Sequence, residues 1–207
     1  MADRRRILFG DFEEVTGDQE RDLLICALRA IEQREGERRG WDRPPQLMAM
    51  IMPSVESAYM HIDVIPAQRW RGASPNPVDW LTSTAVRQPI SPPDRSKGPI
   101  RFADSPGGFA ALAFMSEAWT APPESVGAEE QARRERGERT FASNPDRVEM
   151  RTLAAMDING HLYNLSRLRG FEPELVVTDN APLSDVGRLV QALQRLTTAA
   201  YEGVYKY

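Results

Sequence analysis

The sequence predicts an α+β domain in which a mainly antiparallel sheet of five to six strands carries about three packed helices. Three observations support this fold class. Apolar segments with strand character come as a pair and then as a group of three or four, with helical patterns before, between and after them. The links between strands are short and rich in turn residues. No strand–helix–strand alternation persists, which disfavours the crossover connections of a parallel sheet.

Three segments have the periodicity of amphipathic helices, with apolar residues on one face and charged residues on the other. They are 18–35, 77–86 and 184–201, preceded or opened by the capping residues Asp18, Asn76 and Ser184. Pro77 suits the first helical position because proline lacks the amide hydrogen that would be unsatisfied there. Gly36 is expected to end the first helix, since glycine is a poor helix former.

Six segments are expected to form strands, and they are 47–52, 58–65, 109–120, 147–158, 161–169 and 174–178. The 109–120 segment is apolar on both faces up to Ser116, which predicts a central strand that is covered on both sides. Asn159-Gly160 is the strongest turn signal, because a two-residue hairpin turn requires positive φ at both central positions.

Length and composition favour one domain over residues 1–207, long enough to bury a full core. Two stretches interrupt it. One is a proline-rich segment at 88–108, expected to be a long surface loop, and the other is a charged insert at 121–145, dense in Glu and Arg. Both have the character of insertions into a single domain.

Charge and motif content exclude several classes of function. A net charge of −4 disfavours a nucleic-acid partner, and the single cysteine, Cys26, excludes an intrachain disulfide. The apolar run after Arg6 is too short for a signal peptide or a membrane span, so we expect a soluble, cytoplasmic protein with no membrane partner. Phosphate-loop, dinucleotide and metal-site motifs are absent, which predicts no cofactor and no metal and favours a non-enzymatic role.

Charged and aromatic side chains alternate at the end of the central strand and at the start of the 147–158 strand. They are Glu117, Trp119, Arg147, Glu149 and Arg151. If the two strands pair, the three residues of the second strand share one face and stand opposite Glu117 and Trp119. One interpretation is a ladder of ion pairs that sets the strand register. The other is a polar pocket for an anionic ligand, closed by Trp119 and the charged insert.

His61 and Asp63 form a second candidate group, since they share one face of the 58–65 strand. A metal or acid–base site could use the pair, but it would need further ligands, and the only other histidine is His161. No catalytic residue is assigned from these patterns.

The Ser116-Glu117-Ala118-Trp119 segment, the polar insert after it, and Pro145, Arg147 and Glu149 together resemble a set of uncharacterised small proteins of phages and bacteria. Those proteins carry a strand ending in S-E-A-W and a P-x-R-x-E strand start. The resemblance covers about 35 residues. It implies a phage, prophage or mobile-element setting and brings no activity with it.

The first functional hypothesis is therefore an accessory protein that binds a protein partner or associates with itself. Methionines and tryptophans are candidates for its contact surface, and they are Met48, Met50, Met52, Trp41, Trp70, Trp80 and Trp119. The alternative is a small hydrolase or an anionic-ligand-binding domain built on Glu117, Arg147 and Glu149.

Overall fold

The computed structural model of the chain describes residues 4–8, 18–54, 56–74, 76–88, 98–121, 127–128, 144–179 and 187–203, with only the backbone described at 4–8 and 36–39. It confirms the α+β class: in these residues, one antiparallel sheet carries three α-helices. Most of the predicted charged insert at 121–145 and the middle of the proline-rich segment lie outside the described residues.

Seven strands form the sheet in the order β1-β3-β2-β4-β5-β6-β7, and every neighbouring pair is antiparallel. They are β1 (Arg4–Leu8), β2 (Gln46–Ile51), β3 (Tyr59–Ile65), β4 (Phe109–Thr120), β5 (Val148–Asp157), β6 (Leu162–Leu168) and β7 (Glu174–Thr178). The last six correspond to the six predicted strands. The edge strand β1 was not predicted, because only two of its five residues are apolar and it lacks a full alternating pattern.

The central position of β4 is confirmed. It is the fourth of seven strands, and every residue from Phe109 to Met115 is buried. Odd-numbered residues of β4 and β5 face one side of the sheet, because Glu117 pairs with Arg151 and Met115 with Leu153. Even-numbered residues face the other side.

The helices cover the two faces of the sheet unequally. Helix α1 (Gln19–Arg39) lies on the odd face, where Glu32 reaches Arg151 of β5. Helices α2 (Pro77–Ala85) and α3 (Arg188–Tyr201) pack against each other on the even face, with α3 over β4 and β5. The core is therefore two apolar layers separated by the sheet.

Helix boundaries differ from the prediction at two places. Helix α1 continues through Gly36 and ends at Arg39, with Gly40 after it. A glycine inside a helix costs only about 1 kcal/mol, which tertiary contacts can offset. Helix α3 begins at Arg188, and the predicted cap Ser184 lies outside the described residues.

The turn between β5 and β6 was predicted with the wrong geometry. Gly160 has a φ of 79°, but Asn159 is not among the residues with positive φ. The amide of Asp157 donates to His161 O, and the amide of Gly160 donates to Asp157 O. The loop is thus three residues long with glycine in the left-handed position, a geometry that needs positive φ only once.

The described end of the proline-rich segment lies on the surface but is anchored to the sheet and to α1. Two single helical turns, Phe102–Asp104 and Pro106–Gly108, lead into β4, and the Phe102 side chain is buried. The segment is held by side chains from elsewhere: Glu20 accepts from the amide of Phe102, and Asn159 makes reciprocal hydrogen bonds with the backbone of Ile100. Asn159 is therefore occupied in tethering this segment.

Most of the proposed contact residues belong to the core. Met48, Met50 and Met52 are buried, and so are Trp70 and Trp80. Trp70 packs edge-on against Phe114 of β4, beneath α2. The expectation that the methionine strand faces form a binding surface is therefore wrong. They face packed layers because β2 is covered on both sides, so no water-exposed face remains.

Within the described ranges, no helix combines the length and the apolar character needed to cross a membrane.

We predict that Gly108→Ala destabilises the protein far more than Gly107→Ala. Both glycines have positive φ, and a left-handed alanine costs about 1–2 kcal/mol. A Cβ on Gly108 would lie 2.2 Å from the carbonyl oxygen of Met52, whereas a Cβ on Gly107 meets nothing within 4 Å. Urea denaturation should show a loss of roughly 4 kcal/mol or more at Gly108. Equal losses in the two variants would contradict this account of the β2–β4 contact.

Candidate functional site

Arg151 is the centre of the charged group, and its side chain is only 1% exposed. Glu117, directly opposite on β4, accepts from Arg151 Nε at 2.9 Å and from Nη2 at 2.7 Å through the same oxygen, Oε1. The other oxygen of Glu117 accepts from the amide of Arg43 at 2.8 Å. The ladder between β4 and β5 therefore also holds the segment that follows α1.

The same guanidinium group also contacts the two residues that directly follow α1. Arg151 Nη2 donates to the carbonyl oxygen of Gly40, and the guanidinium carbon lies 4.8 Å from the centroid of the Trp41 ring. Arg169 approaches the same ring at 5.8 Å. Trp41 is thus held by two arginines, both within the range of cation–π attraction.

Glu32 of α1 joins two arginines from neighbouring strands. Its carboxylate is 1% exposed and lies 3.5 Å from Arg151 Nη1 and 2.7 Å from Arg167 Nη2. Burial raises the pKa of Glu32, because a charged carboxylate loses its hydration there, while both arginines act in the opposite direction. The raised pKa indicates that the two guanidinium groups do not fully offset the desolvation of this carboxylate.

These residues form the floor of a half-open cleft of about 740 Å³. Its walls come from α1, from Trp41 and from the turn between β6 and β7. The lining residues are Arg29, Glu32, Gln33, Trp41, Arg151, Arg167, Gly170, Phe171, Glu172 and Pro173. A cleft of this size matches the sites that proteins use for small organic ligands.

The outer residues of the predicted group lie at the open end of the same ladder. Trp119 pairs with Glu149 in the register, and the guanidinium of Arg147 lies 4.7 Å from the Trp119 ring centroid. Glu149 forms an ion pair with Arg169, the residue that directly follows β6. Trp119 is 43% exposed, so this end is a solvent-facing extension of the buried network.

His61 and Asp63 lie far from that network. They occupy the even face of β3, as the register Asp63–Ala49–Leu112 shows, whereas Glu117 is on the odd face. The ring of His61 packs edge-on against Tyr59 at 5.1 Å. The sheet therefore separates the two predicted groups, and they do not form one site.

Sequence reasoning did not assign a role to a third group, at the β5–β6 turn. Buried Asp157 accepts from the amide of His161 at 2.8 Å, contacts His161 Nδ1 at 2.8 Å and accepts from the hydroxyl of Tyr163 at 3.0 Å. His161 Nε2 lies 3.9 Å from Asp179, which Arg21 of α1 also binds. Burial raises the pKa of Tyr163 well above its usual value, so this hydroxyl stays protonated.

The contribution of α1 to the site was also missed, although a signal existed. Leu24 and Leu28 are buried on one face of the helix, and Glu32 and Glu35 continue that face at the same spacing. A carboxylate in line with a buried stripe needs a cationic partner, because an unpaired buried charge is costly. The strand register of the sheet determines which arginine lies next to this carboxylate.

The charged network presents groups that can bind a ligand. Glu117 and Arg151 are engaged with each other and with the backbone, and within the described ranges no three His, Cys, Asp or Glu side chains are placed to hold a metal ion. The cleft still offers guanidinium donors and an aromatic wall. Those groups recognise ligands without changing protonation.

Comparison of the chain with protein-family models, with curated proteins and with solved structures found no match. The resemblance of the Ser116–Trp119 segment to phage and bacterial proteins therefore stays a prediction.

We predict that Arg151→Met lowers the free energy of unfolding by about 3–5 kcal/mol, because it leaves Glu117 and Glu32 buried without their shared partner. The matched control is Arg169→Met, which removes a 57% exposed arginine that contacts the same Trp41 ring. That control should cost about 1 kcal/mol or less. Urea denaturation compares the two, and equal stabilities would show that Arg151 is not structurally required.

We predict that His161 stabilises the fold in a pH-dependent way. The hydrogen bond to Asp157 raises the pKa of His161, helped by the charges of Asp157 and Asp179 and opposed by burial and by Arg21. A raised folded-state pKa gives a contribution that is complete below the unfolded value of about 6.5 and is lost as pH rises through the folded value.

The measurement is the difference in unfolding free energy between the native chain and His161→Gln, determined from about pH 5.5 to about pH 9. This difference should be largest at the acidic end and should shrink as the pH rises. A difference that grows with pH would reverse the sign of this argument.

Proposed function

We propose that the protein is a non-catalytic, cytoplasmic accessory protein that associates with a second copy of itself through the outer edge of β7. The observation that carries the proposal is the unpaired outer edge of β7 in the described part of the chain. β7 is last in the sheet order, and among the described residues no strand pairs with its outer side. Val176, at its centre, is 50% exposed.

The sequence of β7 favours strand addition. Three of its five residues, Val176, Val177 and Thr178, have high β-propensity, and the strand contains neither proline nor lysine. Those are the residues that commonly block exposed edges. An unpaired row of amide and carbonyl groups on such a strand is a template for another strand.

The strand is complementary to its own copy. In an antiparallel pair centred on Val176, Glu174 faces Thr178 of the other copy and Leu175 faces Val177, so no two acidic residues stand directly opposite. Along β7, every second residue points its backbone amide away from β6. In this register, each of these residues stands opposite a residue of the other copy whose amide also points outward, so the two can exchange backbone hydrogen bonds. A two-fold axis through Val176 is the symmetry most common in homodimers.

Exposed apolar residues extend the same surface. Leu168 of β6 lies with Val176 on the even face, where α3 covers β4 and β5. Joining two copies at β7 would bring two such surfaces side by side, a further gain for association. The resemblance of the Ser116–Trp119 segment to phage proteins is the basis for placing this role in a phage or mobile element.

We predict that Val176→Lys weakens self-association by about tenfold or more, because two lysines would face each other across the axis. Sedimentation velocity from about 1 µM to about 1 mM covers the range of small interfaces. The control is Val86→Lys, which changes another exposed valine, 65% exposed and directly after α2, and should associate as the native chain does.

Slower hydrogen exchange of the β7 amides at high protein concentration provides a second readout of strand pairing. A native chain that stays monomeric over the whole range would overturn the proposal. A Val176→Lys variant that dimerises normally would do the same, and oligomers larger than a dimer would contradict the two-fold axis.

A further inference from the structure

We propose that the cleft between α1, Trp41 and the β6–β7 turn binds an organic anion that carries a planar ring. This site is independent of the β7 edge. It lies on the α1 side of the sheet, and its floor is the buried network around Arg151. The argument rests on hydrogen-bond donors, on charge and on the aromatic wall.

Two arginine side chains place a cluster of guanidinium donors at the floor of the cleft. Arg151 and Arg167 share the single carboxylate of Glu32, and Glu117 lies on the other side of Arg151. Arg167 Nε is buried, and no residue in the described part of the chain accepts a hydrogen bond from it. Anionic oxygens of a ligand are the acceptors that such a fork of N–H groups recognises best.

The charges of the lining residues also favour a negatively charged ligand. Three arginines and two glutamates line the cleft, a surplus of one positive charge among the lining residues, and Glu117 lies behind Arg151 outside this lining. Glu32 is committed to two arginines and is deeply buried, so it projects little negative charge to the opening. Arg167 is 25% exposed and can therefore reach a ligand in the cleft.

The aromatic residues of the cleft favour a ligand that contains a flat ring. Trp41 forms one wall, with its ring already held by Arg151 and Arg169. Phe171 lines the mouth and is 64% exposed, an unusually open position for a large apolar side chain. A flat ring that enters the cleft would cover Phe171 and stack against an aromatic face.

The ligand class follows from combining these features. An inorganic anion would use the arginines and leave the aromatic wall uncovered, and a neutral ring would leave the donors unsatisfied. A cleft of about 740 Å³ has room for both parts in one molecule. Nucleoside monophosphates and aromatic carboxylates share this chemistry, and they are two sources that one experiment distinguishes.

Isothermal titration calorimetry on the full chain tests the site with four probes, which are adenosine monophosphate, indole-3-acetate, inorganic phosphate and adenosine. At least one of the two ring-bearing anions should bind, and it should bind about tenfold or more tightly than phosphate or adenosine. Binding of adenosine monophosphate alone identifies a nucleotide-type ligand, and binding of indole-3-acetate alone identifies a carboxylate.

Variants locate the binding site. Phe171→Ser removes an exposed ring and should weaken binding about tenfold or more without unfolding the chain, while its control Val86→Ser should bind normally. Arg167→Gln should weaken the binding of anions selectively, compared with Arg188→Gln, which removes a 65% exposed arginine from α3.

Three results would overturn the proposal. The first is that neither ring-bearing anion binds at about 10 mM, well beyond the range of specific small-ligand sites. The second is that inorganic phosphate binds as tightly as the ring-bearing anions, which removes the role of the aromatic wall. The third is that Phe171→Ser binds as the native chain does, which places the ligand elsewhere.

Discussion

The burial of one guanidinium group, that of Arg151, organises much of this structure. A charge with 1% exposure must be neutralised within the protein, and its partners come from three other parts of the chain: Glu117 of β4, Glu32 of α1 and the carbonyl of Gly40. Each of these partners also fixes the position of another segment or side chain. Gly40 is linked to the end of α1, Glu117 holds the amide of Arg43, and Glu32 brings in Arg167.

This network contributes register and orientation more than it contributes stability. Buried ion pairs gain little net free energy, because the desolvation of both charges opposes their attraction. A slip of one residue between β4 and β5 would move Arg151 to the even face, away from Glu32 and α1. The ion pairs therefore select one arrangement of α1 on the sheet, and the cleft exists because α1, Trp41 and the β6–β7 turn meet in that arrangement.

The two faces and the edge of the sheet have separate roles. The even face under α2 and α3 is packed with apolar residues around Phe114 and Trp70, and it holds His61 and Asp63 only at its periphery. The odd face carries both polar clusters, the one around Arg151 and the one around Asp157. The outer edge of β7 lies beyond these clusters. A surface for self-association and a site for a small ligand can thus coexist in one small domain.

Local patterns were sufficient for all the described α-helices and strands except β1, and they failed where a contact crossed the chain. The six later strands and three helices follow from periodicity and caps, which depend on residues a few positions apart. The expectation that Glu117 and Trp119 stand opposite the charged face of the 147–158 strand is also confirmed, but only the structure shows that Glu117 faces Arg151. Phe102 and the methionines of β2 were misjudged, since their burial is set by other elements that pack against them. Gly36 was misjudged because a single glycine is only a weak helix terminator.

The sequence by itself determined the α+β class and the central place of β4, because apolar periodicity and alternation act over short stretches of chain. Only the tertiary structure decided that Glu32, 119 positions before Arg151, completes the network, that Trp41 and Phe171 enclose a cleft, and that β7 lies at an edge. Those outcomes depend on which distant surfaces meet when the core is buried, and that is a property of the whole packed chain.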